Sequence, residues 1–243
     1  MNKMEEYLLG VTALLKTVQE TQREAMEKAA EAVVQALKNG GMLFTFGTGH
    51  SHMLAEEIFY RAGGLVPVHP ILDEPLLLHV NAFRSSVMER LCGYAATMLD
   101  GLAINPGDVI FIFSNSGRNA VPIEMAQEAK KRGMQVVCIT NLKHSNASAS
   151  RHPSGKRLYD FCDIVIDNCG AVGDASVEIG DKVCGPTSTV IGAAILQAIV
   201  CRTVERLQEE GIEPEVFCSS NIDGNDEKNH AFLEKYKGTI RFL

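Results

Sequence analysis

Apolar and polar residues alternate along this chain in two rhythms, one typical of buried strands and one typical of amphipathic helices. Five short apolar runs predict strands, at residues 42–46, 65–68, 109–113, 135–140 and 163–167. Apolar residues at every third or fourth position predict helices, two within residues 3–38 and others at about 51–61, 85–99, 119–133, 186–207 and 229–237. Strands that alternate with helices form parallel sheets, so we expect a three-layer α/β/α sandwich around a mainly parallel five-stranded sheet.

Local signals mark several boundaries between these elements. Thr21 and Glu24 predict a capping box between the two leading helices, and glycines at 40 and 41 would end the second one. Residues 143–156 are polar and predict a solvated loop; alternatively, their basic side chains screen a phosphate. The glycine-rich segment 168–185 is predicted to lack regular structure and to act as a lid, with Asp174 or Glu178 reaching the ligand.

A corner of polar residues, 114–119 (SNSGRN), follows the third predicted strand. A strand that turns into a helix at such a corner presents free backbone N–H groups beside the positive end of the helix dipole. Ser114, Ser116 and Asn119 add hydroxyl and amide groups around the same point. The corner therefore predicts a site for a small anion such as phosphate. The alternative is an ordinary connection in which the serines cap the helix.

Charge and cysteine content narrow the choice of partners and compartment. The formal net charge is −7 and no basic stripe is visible, which argues against nucleic acid as a partner. Seven cysteines occur singly, which favours free thiols in a reducing cytoplasm over disulfides or a zinc site. We expect a cytoplasmic protein, because neither a signal peptide nor an apolar run of membrane-spanning length is present.

Three stretches together resemble the sugar isomerase, or SIS, domain family, which binds phosphorylated sugars. They are the corner at 114–119, residues 47–51 (GTGHS) and residues 185–189 (GPTST). The resemblance spans roughly residues 40–210 and implies a flavodoxin-like fold with a phosphosugar at the carboxyl edge of the sheet. It places the phosphate on Ser51, Ser114, Ser116 and Asn119. The full set of substrate-binding residues that it implies is Gly49, His50, Ser51, Ser114, Asn115, Ser116, Gly117, Asn119, Thr187 and Ser188.

Acidic residues near this edge are candidates for acid–base chemistry. Glu74 follows the second predicted strand, where an α/β sheet places its ligands; a solvated carboxylate in a surface loop is the alternative. The muramic acid 6-phosphate etherases, which are SIS proteins, use glutamates in similar places, and this resemblance implies Glu74 and Glu89 as the acid–base pair. In some SIS isomerases a histidine of the neighbouring subunit opens the sugar ring, and His230 is the candidate here.

His52 and Glu56 lie four residues apart and could share a metal ion on one helix face, or could form a solvated pair. Aligned with the glycine-rich loop of the phosphoheptose isomerases, this chain has Glu57 in place of their metal-binding histidine and Arg61 in place of a glutamate. We therefore expect no metal and no other cofactor. The acidic run at 223–226 lacks the glutamate that closes a calcium loop and is predicted to be a turn.

The chain divides into leading helices at 1–40, a SIS domain at 41–210 and an extension at 211–243. In the SIS family such leading helices commonly pack across a dimer; alternatively they cover their own sheet. We expect a homodimer or homotetramer. The predicted function is a phosphosugar-binding protein that acts as an aldose–ketose isomerase or a related lyase through glutamate acid–base chemistry. The alternative is a non-catalytic phosphosugar sensor or regulatory partner.

Overall fold

A parallel five-stranded sheet forms the centre of the computed structural model, which describes residues 1–243. Its strands are β1 Leu43–Gly47, β2 Val68–Ile71, β3 Val109–Phe113, β4 Gln135–Thr140 and β5 Ile164–Asp167. They lie in the order β2-β1-β3-β4-β5, and every neighbouring pair is parallel. A separate antiparallel hairpin pairs β6 Ala175–Ile179 with β7 Lys182–Pro186. The predicted parallel five-stranded sheet is confirmed.

Nine helices accompany the strands. They are α1 Lys3–Thr21, α2 Arg23–Lys38, α3 His52–Glu57, α4 Leu78–Met88, α5 Ala95–Leu99, α6 Ala120–Lys131, α7 Leu142–Asn146, α8 Ser188–Glu209 and α9 Asp226–Tyr236. Single turns of 3₁₀ helix occur at Gly49–Ser51, Glu74–Leu76 and Leu158–Phe161. None of the helices is both long and apolar enough to cross a lipid bilayer.

Both faces of the sheet are covered, which gives the three layers that the alternating pattern predicts. One face packs against α1, α2, α3 and α8, and the other packs against α5 and α6. Neighbouring side chains of β3 point to opposite faces: Phe111 belongs to the first core, and Ile110 and Ile112 belong to the second. A strand buried on both faces needs a continuous apolar run, and this is why the strands could be recognised in the sequence.

The second strand lies three residues later than predicted. Leu65 forms an antiparallel bridge with Val216, and the N–H of Val66 binds the carbonyl of Glu215. The first part of the apolar run therefore pairs with the chain beyond α8 and not with the sheet. Pro70 is compatible with β2 because this strand is at the edge of the sheet.

Three helix predictions need correction. The segment 85–99 is not one helix, because Gly93 has φ of +82° and separates α4 from α5, so that Val87 and Leu91 are exposed instead of facing a core. The helix at 51–61 is shorter, since α3 ends at Glu57. The capping box is at the start of α1, between Asn2 and Glu5, and α2 begins without a side-chain cap.

The glycine-rich segment 168–185 is not irregular, because it contains the β6–β7 hairpin. Val177 is buried, and the hydroxyl of Tyr7 on α1 donates a 2.9 Å hydrogen bond to the carbonyl of Pro186. Gly185 has φ of +71°, and a Cβ there would lie 2.7 Å from the Tyr7 ring. Close packing explains this glycine better than flexibility does, and sequence composition could not distinguish the two.

Candidate functional site

The carboxyl ends of the parallel strands bring together the polar corners that the sequence placed far apart. The loops after β1, β3 and β5 and the first residues of α8 surround a narrow cleft of about 10 Å³. Four of the predicted substrate-binding residues, Ser51, Ser114, Asn115 and Ser188, line it together with Leu54. Two further polar residues line it that sequence reasoning missed, Asn168 and Thr189.

The corner after β3 is fixed by local bonds around Gly117. Gly117 has φ of +56°, and its N–H donates a 3.1 Å hydrogen bond to Oγ of Ser114. A Cβ on Gly117 would lie 3.2 Å from Ser145 Oγ and 3.3 Å from Thr140 Oγ1, so a side chain would crowd the corner. The main-chain N–H groups of Ser116, Arg118 and Asn119 have no acceptor within the chain. This arrangement leaves three N–H donors and two serine hydroxyls available beside the start of α6.

The corner after β1 is equally constrained. A Cβ on Gly47 would lie 2.4 Å from the carbonyl oxygen of Ser51, so this turn excludes any side chain at position 47. Nδ1 of the buried His52 is hydrogen-bonded to the carbonyl of Gly49, whereas His50 is exposed. The structure therefore turns Ser51 toward the cleft and uses His52 to hold the loop.

Two asparagines bridge the loops after β3 and β5. Nδ2 of Asn168 donates a 2.8 Å hydrogen bond to Oδ1 of Asn115, and Oδ1 of Asn168 accepts one from the N–H of Gly170. Nearby, Asn141 Nδ2 and Thr187 Oγ1 are buried without a hydrogen-bond partner, and they lie 2.9 Å and 3.2 Å from where a Gly170 Cβ would be. Two unsatisfied polar groups thus lie beside Gly170, and such groups are costly to bury without a partner.

A carboxylate from within the chain occupies the N-terminus of α8. The carboxylate of Asp174 accepts hydrogen bonds from the N–H groups of Thr187 and Ser188 at 3.1 Å and 2.8 Å, and from the Ser188 hydroxyl at 2.6 Å. Asp174 was a candidate for reaching a ligand from a flexible lid; instead it caps this helix. Glu178, the other candidate on that segment, is exposed on β6.

Asn119 stands at the start of α6, where its side chain makes no capping bond. Its Oδ1 accepts a 2.9 Å hydrogen bond from the guanidinium of Arg151, which comes from the polar stretch after α7. The main chain is joined in the same place, since Arg151 N–H donates to Arg118 O at 2.8 Å. Burial lowers the pKa of Arg151, and so do the positive charges of Arg118 and Arg90, while Glu89 opposes them.

Of the two predicted catalytic glutamates, the structure holds one in place. Glu89 caps the end of α4; its Oε2 accepts a 2.9 Å hydrogen bond from Thr48 Oγ1, and its carbonyl accepts one from the N–H of Val121. Glu89 is therefore at the end of α4, whereas the helix predicted at 85–99 would have had it near its start. Glu74 is exposed in a 3₁₀ turn. Burial, together with a hydrogen bond that Tyr94 donates to the neighbouring Asp73, raises the pKa of Tyr94 to about 12.

His230 is exposed on α9, which packs near the amino ends of the strands. Asn229 binds the main chain of Cys218, and Tyr236 on the same helix lies beside Gly41 and Pro67. Within one chain His230 therefore lies away from the serine corners. It remains a prediction for a role across a subunit boundary.

Of the two possible metal ligands on α3, Glu56 is exposed and His52 is buried. Glu57 pairs with Arg61 and accepts a 3.2 Å hydrogen bond from Gln197, and His52 binds the Gly49 carbonyl. No group of three or more His, Cys, Asp or Glu side chains is gathered in a way that could hold a metal ion.

The SIS domain family matches residues 6–141, a range that includes both serine corners. Over its whole length the chain is similar to a UPF0309 protein of Geobacillus thermodenitrificans, with 46% identity over 242 residues that cover 99% of this chain and 97% of that protein. The chain belongs to the SIS domain family and to its UPF0309 proteins.

Solved structures share the fold at low sequence identity. A phosphoheptose isomerase from Francisella tularensis gives a TM-score of 0.57 at 17% identity, over 84% of this chain and 97% of that one. The Vibrio vulnificus NanR protein, solved in complex with ManNAc-6P, gives a TM-score of 0.54 at 16% identity, over 98% of this chain and 70% of that one. At these identities the likeness shows a shared fold.

Proposed function

We propose that this protein binds a phosphorylated sugar at the carboxyl edge of the sheet and acts on it as an isomerase or a lyase. The observation that carries the proposal is the corner at 114–119, where three N–H groups without an acceptor stand beside the hydroxyls of Ser114 and Ser116. Such converging donors suit the oxygens of a phosphate. The membership of the SIS family and the fold shared with a phosphoheptose isomerase support this ligand.

Glu89 is the proposed base. In an aldose–ketose isomerisation its carboxylate takes the C2 proton of the open-chain sugar, and the proton returns to C1 after an enediol forms. In a lyase, loss of the same proton beside a carbonyl is followed by loss of the C3 substituent. The Thr48 hydrogen bond supports this role, because it holds the carboxylate beside the corner after β1. Glu74 is the proposed second acid–base group, and His230 of a second subunit is proposed to open the ring.

Proton NMR in deuterated buffer with a panel of sugar 6-phosphates tests the enzyme. Loss of the C2 proton signal with formation of a ketose would establish an isomerase, and release of a C3 group would establish a lyase. Ser114→Ala tests whether the site is responsible, because it removes one hydroxyl from the proposed phosphate corner. In this variant we expect neither exchange of the C2 proton nor release of a C3 group. A protein that binds none of these sugars would contradict the proposal.

A non-catalytic phosphosugar sensor is the second candidate. The observation that favours it is the exposure of Glu74, which makes no side-chain hydrogen bond and is not assembled with Glu89 as a pair. In the same NMR experiment a sensor would broaden the lines of one sugar phosphate while its C2 proton stayed unexchanged.

We further propose that two copies of the chain associate through the leading helices. Each copy would consist of the leading helices at 1–40, a SIS domain at 41–210 and an extension at 211–243. Leu8 and Leu9 on α1 are 58% and 59% exposed. Next to them an apolar groove between α1, α2 and α8 includes Leu15, Met26 and Ala198. A second copy of the same helices would cover both. All seven cysteines are free thiols, which is compatible with the proposed cytoplasmic location.

A further inference from the structure

Arg151 is bonded to the 114–119 corner that contains Arg118, and Arg90 is close enough for its charge to lower the pKa of Arg151. Arg90 follows α4, Arg118 belongs to the corner itself, and Arg151 belongs to the loop after α7. We refer to them as the arginine cluster. Arg151 is tied to the corner twice, through its N–H to Arg118 O at 2.8 Å and through its guanidinium to Asn119 Oδ1 at 2.9 Å. The cluster is thus a built part of the carboxyl edge and not three independent surface residues.

The positive charge of the arginine cluster is not balanced within the chain. Four other arginines form ion pairs with carboxylates: Arg61, Arg132, Arg202 and Arg206. No member of the cluster forms such a pair. At Arg151, the negative charge of Glu89 opposes the positive charges of Arg118 and Arg90. Glu124, on α6, is engaged by the N–H of Gly93 and lies beside His152.

A second observation indicates that the cluster could bind an anion. Nε of Arg118 is buried and has no hydrogen-bond partner. A guanidinium donor that is removed from water without a partner is costly, and an anionic oxygen would satisfy it. The protein has a net charge of −7, so the local positive charge of the cluster is opposite in sign to the net charge of the whole chain.

We propose that the arginine cluster is a second anion subsite and that the ligand is a sugar phosphate carrying a carboxylate as a second acidic group. This rests on the proposed function, since the phosphate would occupy the corner donors beside Ser114 and Ser116. The cleft with Ser51 and Ser188 lies toward α3 and α8, and the arginines lie toward α4 and α6. A carboxylate suits the cluster because guanidinium groups bind it through two parallel hydrogen bonds.

Isothermal titration with a matched pair of open-chain probes tests this inference. 6-Phosphogluconate carries a phosphate and a carboxylate, and glucitol 6-phosphate has a hydroxymethyl group in place of the carboxylate. We expect wild-type protein to bind 6-phosphogluconate about 10-fold more tightly or better. Arg118→Gln and Arg151→Gln, which keep the main-chain donors of the corner, should bring the ratio of the two affinities to about one. Arg132→Gln, which removes the same charge at the far end of α6, should keep the preference.

The outcomes separate this inference from the proposed function. Equal affinity of wild-type protein for both probes would overturn the second subsite while the phosphosugar site stands. Loss of both probes in the arginine variants would also overturn it, because the arginines would then hold the phosphate. Failure of wild-type protein to bind either probe would contradict the phosphosugar site itself, and the inference with it. Circular dichroism of each variant confirms that the fold is retained.

Discussion

Thr48 Oγ1 donates a 2.9 Å hydrogen bond to Glu89 Oε2 and so joins the corner after β1 to the end of α4. We expect Glu89→Gln to slow C2 proton exchange by about 10²–10⁴-fold while phosphosugar affinity stays the same, because glutamine keeps the shape but cannot accept the proton. Thr48→Val should slow exchange less. NMR exchange rates and titration measure the two effects, and Glu234→Gln on α9 is the control. Unchanged exchange in Glu89→Gln would refute its role as the base.

Gly47→Ala tests the corner after β1. The new methyl group would lie 2.4 Å from the Ser51 carbonyl, so the loop must move and Ser51 must leave the cleft. We expect the loss of phosphosugar binding by titration. Gly10→Ala is the control: its Cβ would meet nothing within 4 Å on α1, and we expect it to stabilise the protein by about 0.5–1 kcal/mol. Full binding in Gly47→Ala would contradict the role given to this corner.

The cap that Asp174 places on α8 should contribute to stability. We expect Asp174→Ala to lower the free energy of unfolding by about 1–2 kcal/mol in urea titrations, because the Thr187 and Ser188 N–H groups lose their acceptor. Asp174→Asn should cost less, since asparagine can accept the same bonds and tolerates the φ of +73° found here. If both variants were as stable as wild type, the cap would not contribute to the free energy of unfolding.

His69, buried on β2, should make stability depend on pH. Burial lowers its pKa below the ordinary 6.5, although a hydrogen bond with the main chain of Thr239 opposes this. The unfolded chain therefore binds the proton more readily, so the free energy of unfolding falls as pH drops below 6.5 and levels off below the native pKa.

Urea unfolding at about pH 7.5 and about pH 5.5 measures this effect of His69. His69→Phe, which keeps an aromatic ring next to Phe44, should lose less stability between the two pH values than wild type does. Equal losses in the two proteins would show that other groups cause the pH dependence.

The exposed leucines of α1 test the proposed association. We expect the double variant Leu8→Gln with Leu9→Gln to sediment as a monomer, whereas wild-type protein sediments as a dimer or tetramer, because about 25 cal/mol is lost per Å² of apolar surface left in water. Lys16→Gln, an exposed residue of the same helix, should sediment as wild type does. A monomeric wild type would refute the association.

The sequence by itself determined four strands of the central sheet, β1, β3, β4 and β5, and the two serine corners. Phe111 and its neighbours are apolar without interruption because β3 is buried on both faces. Gly47 stands where a Cβ cannot fit, and Gly117 has a positive φ in a crowded corner. The environment requires a particular residue type at each of these positions, so it leaves a pattern that can be recognised in the sequence.

Only the tertiary structure decided which polar groups are free and which are engaged. Asp174 caps a helix that starts 14 residues later, Arg151 takes the Asn119 amide from 32 residues away, and Asn168 reaches Asn115 across 53 residues. A polar residue can bind any partner that the fold brings within about 3 Å, so its own sequence neighbours do not reveal its partner. For this reason the pattern located the carboxyl edge, whereas the positions of Glu89 and the arginine cluster required the three-dimensional structure.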